Sequence, residues 1–328
     1  MPKPKPQLAV IIPYYQRQAG LLRAAVASVL TQVGPFLVTV LVVDDSSPHP
    51  ADAELDAAWL KSGQVHLLRQ ANAGPSAARN HGLDKLPAGT EYVAFLDSDD
   101  CWTDSFSTDA HAAFSAGADL FFADTTRFSE EQSRFHWAND SRYRLTSQGH
   151  TPIDTNDAND AVFLFKGDFL DFLIQRSNVI SPAFAYRLGC APTLRFNRAL
   201  TYGEDRLFKL TLVRHCQRIA FSTRIGCIEG PGVNIFDVVN PGSGRALRLA
   251  SDYVHLNRLL LASMPLPAPQ QARLRQELAR CRREWLFNAL HALKLRTPEL
   301  AASLWLTLAR DPWLPLAVLR DWLRRPAT

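Results

Sequence analysis

The chain has 328 residues, of which 47% are hydrophobic and 10% aromatic, so it can bury a sizeable core in one large domain or two smaller ones. Its net charge is only +4, and its basic residues belong to no recognisable nucleic-acid-binding module, so no nucleic-acid partner is predicted. The five cysteines form no C-x-x-C pair, which argues against a zinc site and suits reduced thiols in a cytoplasm.

The first 43 residues are predicted to form a tail, a strand, a helix and the start of a second strand. Residues 1–7 are expected to be a flexible tail, and they lack the apolar core of a signal peptide. An apolar strand follows at residues 8–13, and helical spacing predicts a helix at residues 21–32. The uncharged stretch at residues 24–43 is interrupted by Gly34 and Pro35, so it is predicted to be a helix and a strand rather than a membrane span.

Strand and helix signals continue to alternate up to residue 96. Apolar runs predict strands at residues 37–43, 65–68 and 92–96, and helices are predicted between them at residues 51–61 and 76–86. Continuous apolar strands that alternate with helices are typical of a parallel sheet covered by helices on both faces. The predicted fold class is therefore α/β with a mostly parallel central sheet.

Polar residues follow each of the four predicted strands. Ligands of such sheets bind beyond the carboxyl ends of the strands, so these polar clusters are expected to line one mouth. The clusters are residues 14–17, Asp44 with Asp45, residues 69–72, and residues 97–99.

Three carboxylates lie within four residues after the fourth strand, at Asp97, Asp99 and Asp100. Clustered like charges are costly unless a cation neutralises them. Mg²⁺ and Mn²⁺ prefer carboxylate oxygen, and Mg²⁺ is usually held by one or two carboxylates plus substrate phosphates. The pattern predicts a site for a divalent metal and a phosphorylated ligand. A solvated turn, which Asp and Ser also favour, is the alternative.

The chain has no glycine-rich phosphate loop, because G-x-G-x-x-G does not follow the first strand and G-x-x-x-x-G-K-[ST] is absent. Other motifs occur instead, in order along the chain: AVIIPYY at residues 9–15, SVLTQ at 28–32, VVDDSS at 42–47, NAGPSAARNHG at 72–82 and FLDSDDCW at 95–102. Together they resemble the nucleotide-sugar-binding half of the family-2 inverting glycosyltransferases, which have the GT-A fold. YGEDRL at 202–207 resembles the Glu-Asp motif of that family, and the resemblance covers roughly residues 8–245.

The resemblance implies which residues hold the nucleotide. Pro13 and Tyr15 correspond to residues that pack against the base. Asp45, with Asp44 beside it, corresponds to the carboxylate that accepts a hydrogen bond from the base N–H. Asn72 is one of two matched positions that contact the base and phosphates. The family often has Thr-Tyr-Asn after the first-strand proline where this chain has Tyr-Tyr-Gln, so the detail of the base pocket is open.

The resemblance also implies how the phosphates and the metal are held. Arg79 is the second matched position, and a guanidinium forks onto phosphate oxygens, although a helix-surface arginine is the alternative. Asp97 corresponds to a ribose or metal contact and Asp99 to the direct ligand of Mn²⁺ or Mg²⁺, with Ser98 between them as a nucleotide-sugar contact. Some relatives add a histidine ligand, but residues 216–250 contain none, so the third ligand is open.

Glu204 and Asp205 precede a predicted helical run at residues 206–213. An inverting transfer needs a carboxylate that removes the acceptor hydroxyl proton as the oxygen attacks the anomeric carbon. The resemblance implies that Asp205 is this general base and that Glu204 is the other catalytic candidate. Two acids at a helix start can instead simply complement the helix dipole.

Two irregular segments each keep two interpretations. Residues 127–160, which include Trp137 and Tyr143, are either an acceptor-side insertion or a plain surface excursion. Residues 233–245 lie where relatives of the family carry a mobile active-site loop, and their Gly and Pro content suits either a lid or an ordinary connector.

The C-terminal quarter is basic and rich in tryptophan. Residues 245–328 carry 14 Lys and Arg against 6 Asp and Glu, a charge of +8. Such a composition on helical segments fits a membrane-surface region, and it equally fits helices packed on the main domain with a solvated basic face. Four of the seven tryptophans lie here: Trp285, Trp305, Trp313 and Trp322.

The predicted domains are a GT-A domain at residues 8–245, with a nucleotide-sugar-binding half at 8–102 and an acceptor half at 103–245, and a helical region at 246–328. The resemblance implies a metal-dependent inverting hexosyl- or N-acetylhexosaminyltransferase. Its donor would be a UDP-sugar, and its acceptor a glycan or lipid-linked hydroxyl in bacterial surface polysaccharide or glycolipid synthesis. The expected location is the cytoplasm, with peripheral contact at the inner face of the plasma membrane through residues 246–328. A non-catalytic nucleotide-sugar-binding or scaffold protein on the same fold is the alternative.

Overall fold

The computed structural model describes residues 5–128, 130–137, 144–153, 161–175, 179–231 and 239–323, with side chains as far as residue 320. The chain divides into two compact units. The N-terminal unit comprises Met1–Phe196 and Phe208–Gly232, and the C-terminal unit comprises Asn197–Leu207 and Val233–Thr328. No sequence pattern indicated that residues 197–207 group with the C-terminal helices, and the predicted boundary at residue 245 stays a prediction.

The N-terminal unit contains one mixed sheet. Its strands are β1 (Gln7–Tyr14), β2 (Leu37–Asp44), β3 (Val65–Arg69), β4 (Thr90–Phe95), β5 (Cys101–Trp102), β6 (Leu120–Arg127), β7 (Thr151–Pro152), β8 (Val162–Leu164), β9 (Phe184–Arg187) and β10 (Ile219–Glu229). The spatial order is β3-β2-β1-β4-β9-β6-β10-β8-β7, and β5 pairs with β10. Because β1 to β4 pair in parallel, their carboxyl ends meet at one edge, as predicted.

Helices cover both faces of this sheet, which confirms the predicted architecture. They are α1 (Leu21–Leu30), α2 (Ala57–Lys61), α3 (Pro75–Asp84), α4 (Phe106–Ser115) and α5 (Phe169–Gln175). Alternate residues of a strand point to opposite faces. Val10 and Ile12 of β1 pack in one core with α1 and α4, whereas Ile11 lies against Gly82 of α3. The uniformly apolar β1 is therefore buried from both sides.

The predicted continuous helix at residues 51–61 is wrong. The structure has a 3₁₀ turn at Ala51–Ala53 and only the short helix α2 after it. Glu54 interrupts the helix because its buried carboxylate accepts hydrogen bonds from the Tyr14 hydroxyl at 3.1 Å and the Arg23 N–H at 3.2 Å. The Asp56 carboxylate then accepts from the Ala58 N–H at 2.9 Å and starts α2 as its N-cap.

The sequence patterns did not predict β9. This strand lies between β4 and β6 and is antiparallel to both, so it interrupts the parallel part of the sheet. β9 is far along the chain from both β4 and β6. The pairing therefore depends on tertiary packing, which includes an edge-to-face contact of Phe95 with Phe208 and a 5.8 Å contact of Phe95 with Phe184 of β9.

The C-terminal unit is helical, as predicted. Its helices are α7 (Gly244–Ser263), α8 (Ala268–Leu295), α9 (Leu300–Arg310) and α10 (Leu314–Leu323), and it includes the first turn of α6 (Glu204–Val213). Leu247 and Val254 of α7 pack against Leu278 and Trp285 of α8 and against Leu314 of α10. Over the helices that the structure describes, none combines the length and hydropathy needed to cross a membrane.

Candidate active site

Asp44 and Asp45 hold the loops at the carboxyl edge of the parallel strands. Both side chains are buried. The Asp44 carboxylate accepts hydrogen bonds from the N–H groups of Ser47 at 2.8 Å and Ala51 at 3.0 Å, so it shapes the loop after β2. A carboxylate that accepts two backbone hydrogen bonds in this way fixes the path of the chain.

Asp45 joins the loop after β2 to the loop that enters α3. Its Oδ1 accepts from Gln70 Nε2 and the Ala73 N–H, and its Oδ2 accepts from the Gly74 N–H, all at 2.8 Å. Gly74 has a φ of 85°, which favours glycine at this entry to α3. In this structure Asp45 acts on the protein backbone, and its contact with a base stays a prediction.

Arg79 and Asp97 form an ion pair between α3 and the turn after β4. The distance from Arg79 Nη2 to Asp97 Oδ1 is 2.7 Å. The Arg79 side chain is almost fully buried and its guanidinium lies over the Phe196 ring at 5.4 Å, whereas Asp97 is partly open to solvent. Arg79 is therefore not a solvated helix-surface arginine, which was the alternative interpretation.

Gln16 is a residue of this edge that the motif analysis left without a role. Its Nε2 donates to Ser98 Oγ at 3.1 Å, and both side chains are buried. Its backbone N–H also donates to Ser47 Oγ at 2.8 Å. Gln16 therefore connects the loops after β1, β2 and β4, and the polar cluster at residues 14–17 was the only sequence signal for it.

Asp99 and Asp100 lie close to each other and to other carboxylates. Burial, with the nearby Asp97 and Glu229 carboxylates, raises the pKa of Asp99 to about 6. Burial, with Asp97 and Asp99, raises the pKa of Asp100 well above its usual value, although its Oδ1 accepts from the Gly230 N–H at 2.9 Å. Within the described ranges no cationic side chain pairs with Asp99.

Gly230 was missed by the sequence analysis, yet it adjoins the Asp97–Asp99 turn. A Cβ built at Gly230 would lie 1.7 Å from the Asp99 carbonyl oxygen, a distance that no side chain can tolerate. The chain after β10 thus approaches the backbone of this turn closely. The local signal was only the turn composition of Gly230-Pro231-Gly232, which does not say where the turn packs.

The donor set at this turn fits a hard divalent cation. Asp97 and Asp99 supply carboxylate oxygens only, which is the chemistry that Mg²⁺ and Mn²⁺ prefer. Across the residues that the structure describes, no group of three His, Cys, Asp or Glu side chains could hold a metal by itself. The protein therefore fits the type of site in which substrate phosphates and water complete the coordination.

Two of the predicted base-contacting residues, Tyr15 and Asn72, lie open to solvent at the same edge. Tyr15 is 46% exposed directly after β1, Asn72 is exposed in the loop after β3, and Pro13 is partly buried within β1. These positions are accessible to a ligand. Their roles in binding a nucleotide stay predictions.

Glu204 and Asp205 form the first turn of α6 and belong to the C-terminal unit. Glu204 is buried, whereas Asp205 is partly exposed. Tyr253 of α7 lies near this turn, since a Cβ built at Gly203 would be 3.8 Å from the Tyr253 ring. Burial, together with the charges of Asp205 and Glu204, raises the pKa of the Tyr253 hydroxyl to about 12. A partly exposed carboxylate is the better placed of the two to receive a proton from a ligand.

The two segments with open interpretations are only partly described. At residues 130–137, Phe135 is buried and Arg134 pairs with Glu229 of β10, so these two side chains are anchored to the N-terminal unit. Trp137 donates from Nε1 to Glu130 at 3.1 Å. Tyr143 and residues 154–160 lie outside the described residues, as do residues 232–238 of the predicted lid, so both interpretations stay predictions.

Comparisons with known proteins agree with this geometry. The family model for glycosyl transferase family 2 matches residues 9–171. The chain is 31% identical over 316 residues to the succinoglycan biosynthesis protein ExoW of Rhizobium meliloti (strain 1021), which covers 94% of this chain and 95% of that protein.

Two solved structures have a similar fold. S. aureus TarS 1-349 in complex with UDP-GlcNAc superposes with a TM-score of 0.61 at 17% identity, covering 96% of this chain and 89% of that chain. The mannosyltransferase PcManGT from Pyrobaculum calidifontis, in complex with GDP-Man and Mn²⁺, superposes with a TM-score of 0.55 at 15% identity, covering 98% and 88%. At these identities the likeness shows the fold alone.

Proposed function

This chain belongs to glycosyl transferase family 2, and from that membership we propose that it moves a sugar from a nucleotide-diphosphate donor to a hydroxyl acceptor with inversion at the anomeric carbon. The predicted GT-A fold and the predicted enzyme class, a glycosyltransferase, are confirmed. The alternative of a non-catalytic binding or scaffold protein loses its support, because the family consists of transferases and the carboxylates at residues 97, 99, 204 and 205 are all present.

The ion pair of Arg79 with Asp97 is the observation that carries the proposal for the donor site. It places a buried guanidinium beside the Asp97 carboxylate at the carboxyl edge of parallel strands, where ligands of such sheets bind. A guanidinium forks onto phosphate oxygens, and the Asp97 and Asp99 carboxylates suit a cation shared with the same phosphates. A diphosphate with its metal presents negative oxygens to the Arg79 guanidinium and a cation to the Asp97 and Asp99 carboxylates.

Asp99 and Asp97 are the residues that would hold Mn²⁺ or Mg²⁺. When bound, such a cation stabilises the charge that develops on the departing diphosphate. Arg79 supplies positive charge from the protein for the same group, and Gln16 holds the Ser98 hydroxyl in place within the turn.

Asp205 is proposed as the general base. Its carboxylate takes the proton of the acceptor hydroxyl as the hydroxyl oxygen forms a bond to the anomeric carbon. The bond from that carbon to the diphosphate oxygen breaks, and the nucleoside diphosphate leaves with the electron pair. The transition state resembles an oxocarbenium ion, as in glycoside hydrolysis.

We propose a UDP-sugar as the donor, carrying a hexose or an N-acetylhexosamine. The complex of S. aureus TarS 1-349 with UDP-GlcNAc supports this choice, whereas PcManGT, which has the same fold, is in complex with GDP-Man. The similarity to ExoW, named for succinoglycan biosynthesis, covers almost the whole chain and supports a role in polysaccharide or glycolipid synthesis. The acceptor is then a glycan or lipid-linked hydroxyl.

The test of the donor site is thermal unfolding of the protein with a panel of nucleotide-diphosphate sugars, each with Mn²⁺ and with a chelator. A UDP-sugar with Mn²⁺ is expected to stabilise the protein more than either alone, by about 2.7 kcal/mol when the ligand is at 100 times its Kd. A GDP-sugar panel under the same conditions is the matched control for the base. If no nucleotide sugar gives a metal-dependent shift, the proposed donor site is wrong.

We propose that the enzyme works in the cytoplasm with its C-terminal helices at the inner face of the plasma membrane. All five cysteines are free thiols, which suits a reducing compartment. Arg283, Phe287, Leu290 and Lys294 follow each other at helical spacing on α8 and are all exposed, with Phe287 and Leu290 each 52% exposed. An apolar stripe with basic ends is typical of a surface that contacts anionic lipid.

The two short helices after α8 continue this pattern. Trp305 of α9 is 78% exposed, and Trp313, directly before α10, is 66% exposed. Trp285 of α8, in contrast, is buried in the core of the unit. Exposed tryptophans prefer the interface between lipid and water, so they support membrane contact over a purely packed role for these helices.

Replacing both Trp305 and Trp313 by alanine is expected to weaken binding to phosphatidylglycerol vesicles without lowering the melting temperature, because neither ring is in the core. The double variant Arg283→Gln and Lys294→Gln should remove the salt-sensitive part of vesicle binding, about 1 kcal/mol of binding free energy for each basic residue. Vesicle sedimentation at low and high salt measures both effects. The control is Phe128→Ala, which removes an equally exposed ring, 77% exposed, from the N-terminal unit. A parental protein that ignores anionic vesicles at low salt would leave only the packed-helix interpretation.

A further inference from the structure

Asp252 of α7 is a buried carboxylate that binds the backbone immediately before Glu204 and Asp205. It is fully buried, and its Oδ2 accepts hydrogen bonds from the Thr201 N–H at 2.8 Å and the Tyr202 N–H at 3.1 Å. These amides lie two to four residues from the two acids of the first turn of α6. The carboxylate therefore fixes the backbone that leads into that turn.

Two arginines also bind the Asp252 carboxylate. Arg310 of α9 donates from Nη1 to Asp252 Oδ1 at 2.6 Å, and Arg248 donates from Nε to Oδ2 at 3.2 Å. Arg310 also donates from Nη2 to the Ala199 carbonyl oxygen at 2.5 Å. The backbone at residues 199–202 thus donates to the Asp252 carboxylate and accepts from the Arg310 guanidinium. The two arginines balance the charge of Asp252.

Gly203 connects this fixed segment to the start of α6. Its φ is 76°, a left-handed conformation that favours glycine, and a Cβ built there would lie 2.9 Å from Leu256 Cδ2 of α7. The backbone has little freedom between the Asp252 contacts and Glu204. The position of the Asp205 carboxylate relative to α7 is therefore set by how residues 199–203 are held.

We propose that Asp252 is a positioning residue for Asp205, with Arg310 as its partner. It does not touch substrate. It holds the first turn of α6 so that the general base meets the acceptor hydroxyl, and a displacement of about 1 Å in such a group can lower the rate about 10²-fold. The inference rests on the proposed role of Asp205.

Asp311 provides a matched control in the same unit. It is also fully buried and also binds two arginines, with Arg282 Nη2 at 2.8 Å from Oδ2 and Arg258 Nη1 at 3.0 Å from Oδ1. In the described parts of the chain its carboxylate makes no hydrogen bond to residues 197–203. Asp252 and Asp311 therefore have the same burial and charge, and they differ in their contact with the loop before Asp205.

Asp252→Asn is expected to lower kcat about 10–100-fold and leave donor affinity unchanged. The new amide NH₂ faces either the Thr201 and Tyr202 amides or Arg310, so one set of contacts becomes donor against donor. Asp311→Asn should cost comparable stability but leave kcat within about 3-fold of the parent, since it lies outside the loop. Transfer kinetics, donor titration and thermal unfolding of both variants give the comparison, and Asp252→Glu should recover part of kcat.

Three outcomes separate the inference from the function on which it rests. If both asparagine variants lower kcat equally, or neither does, Asp252 has only a structural role and the inference is wrong. If Asp205→Asn transfers sugar at the parental rate, the base assignment fails instead. Should Asp252→Asn not fold, Arg310→Lys against Arg282→Lys repeats the test, because only Arg310 also binds the Ala199 carbonyl. Equal kcat for that pair would also overturn the inference.

Discussion

Asp205→Asn is expected to lower the rate of sugar transfer by about 10²–10⁴-fold, the usual contribution of a general base, while donor affinity stays at the parental value. Asparagine keeps the size of the side chain and much of its hydrogen bonding, but it cannot take a proton near neutral pH. Asp205 lies in the first turn of α6 and is partly exposed, so the change should leave the core of the unit intact. Release of the nucleoside diphosphate in the presence of acceptor measures the rate, and calorimetry with the donor measures the affinity.

Glu204→Gln is the matched variant for this test. Glu204 is next in the chain and carries the same charge, but it is buried. We therefore expect its loss to lower stability more than it lowers the transfer rate, because burying an altered polar group costs folding free energy. If the deeper loss of transfer falls on Glu204→Gln, the base is Glu204. If neither variant slows transfer, the mechanism by a carboxylate base in α6 is wrong.

The parallel half of the sheet could be predicted because each of its strands carries its own signal. A strand buried on both faces is continuously apolar, and β1, β2 and β4 each contain such a run, followed by a polar cluster. The helix predicted at residues 51–61 failed because the competing interaction was not local. Glu54 is bound by the Tyr14 hydroxyl, which lies 40 residues earlier in the chain, and no helical period reveals that contact.

The candidate site could be predicted as a set of residues but not as a set of contacts. The Asp97–Asp99 turn and Arg79 were found from motifs, yet their ion pair was not, since the two segments come together only through the packing of α3 on the sheet. Gly230 had only a turn composition as its signal and Asp252 had none, because each contacts a backbone segment that is distant in sequence. Local patterns find side chains with unusual chemistry, and they miss residues whose role is to hold other segments.

Asp99→Ala is expected to abolish Mn²⁺-dependent binding of the nucleotide diphosphate and, with it, transfer. Asp99 is the proposed direct ligand of the metal. Its removal should therefore lower metal affinity by more than the 10–100-fold that removal of an outer partner typically costs. The variant should fold normally. The Asp99 carboxylate is partly exposed, lies near Asp97 and Glu229, and has no cationic partner in the described residues, so its removal relieves repulsion rather than breaking a stabilising pair.

Asp104→Ala is the control, because it removes the same charge from the loop after β5, where the side chain is exposed. Calorimetric titration of UDP with and without Mn²⁺ should show normal metal-dependent affinity for this variant and none for Asp99→Ala. Asp205→Asn, in contrast, should bind UDP and Mn²⁺ like the parent and fail only in transfer. Metal-dependent affinity that survives Asp99→Ala would remove Asp99 from the metal site, and the contrast with Asp205→Asn would then no longer separate donor binding from acceptor activation.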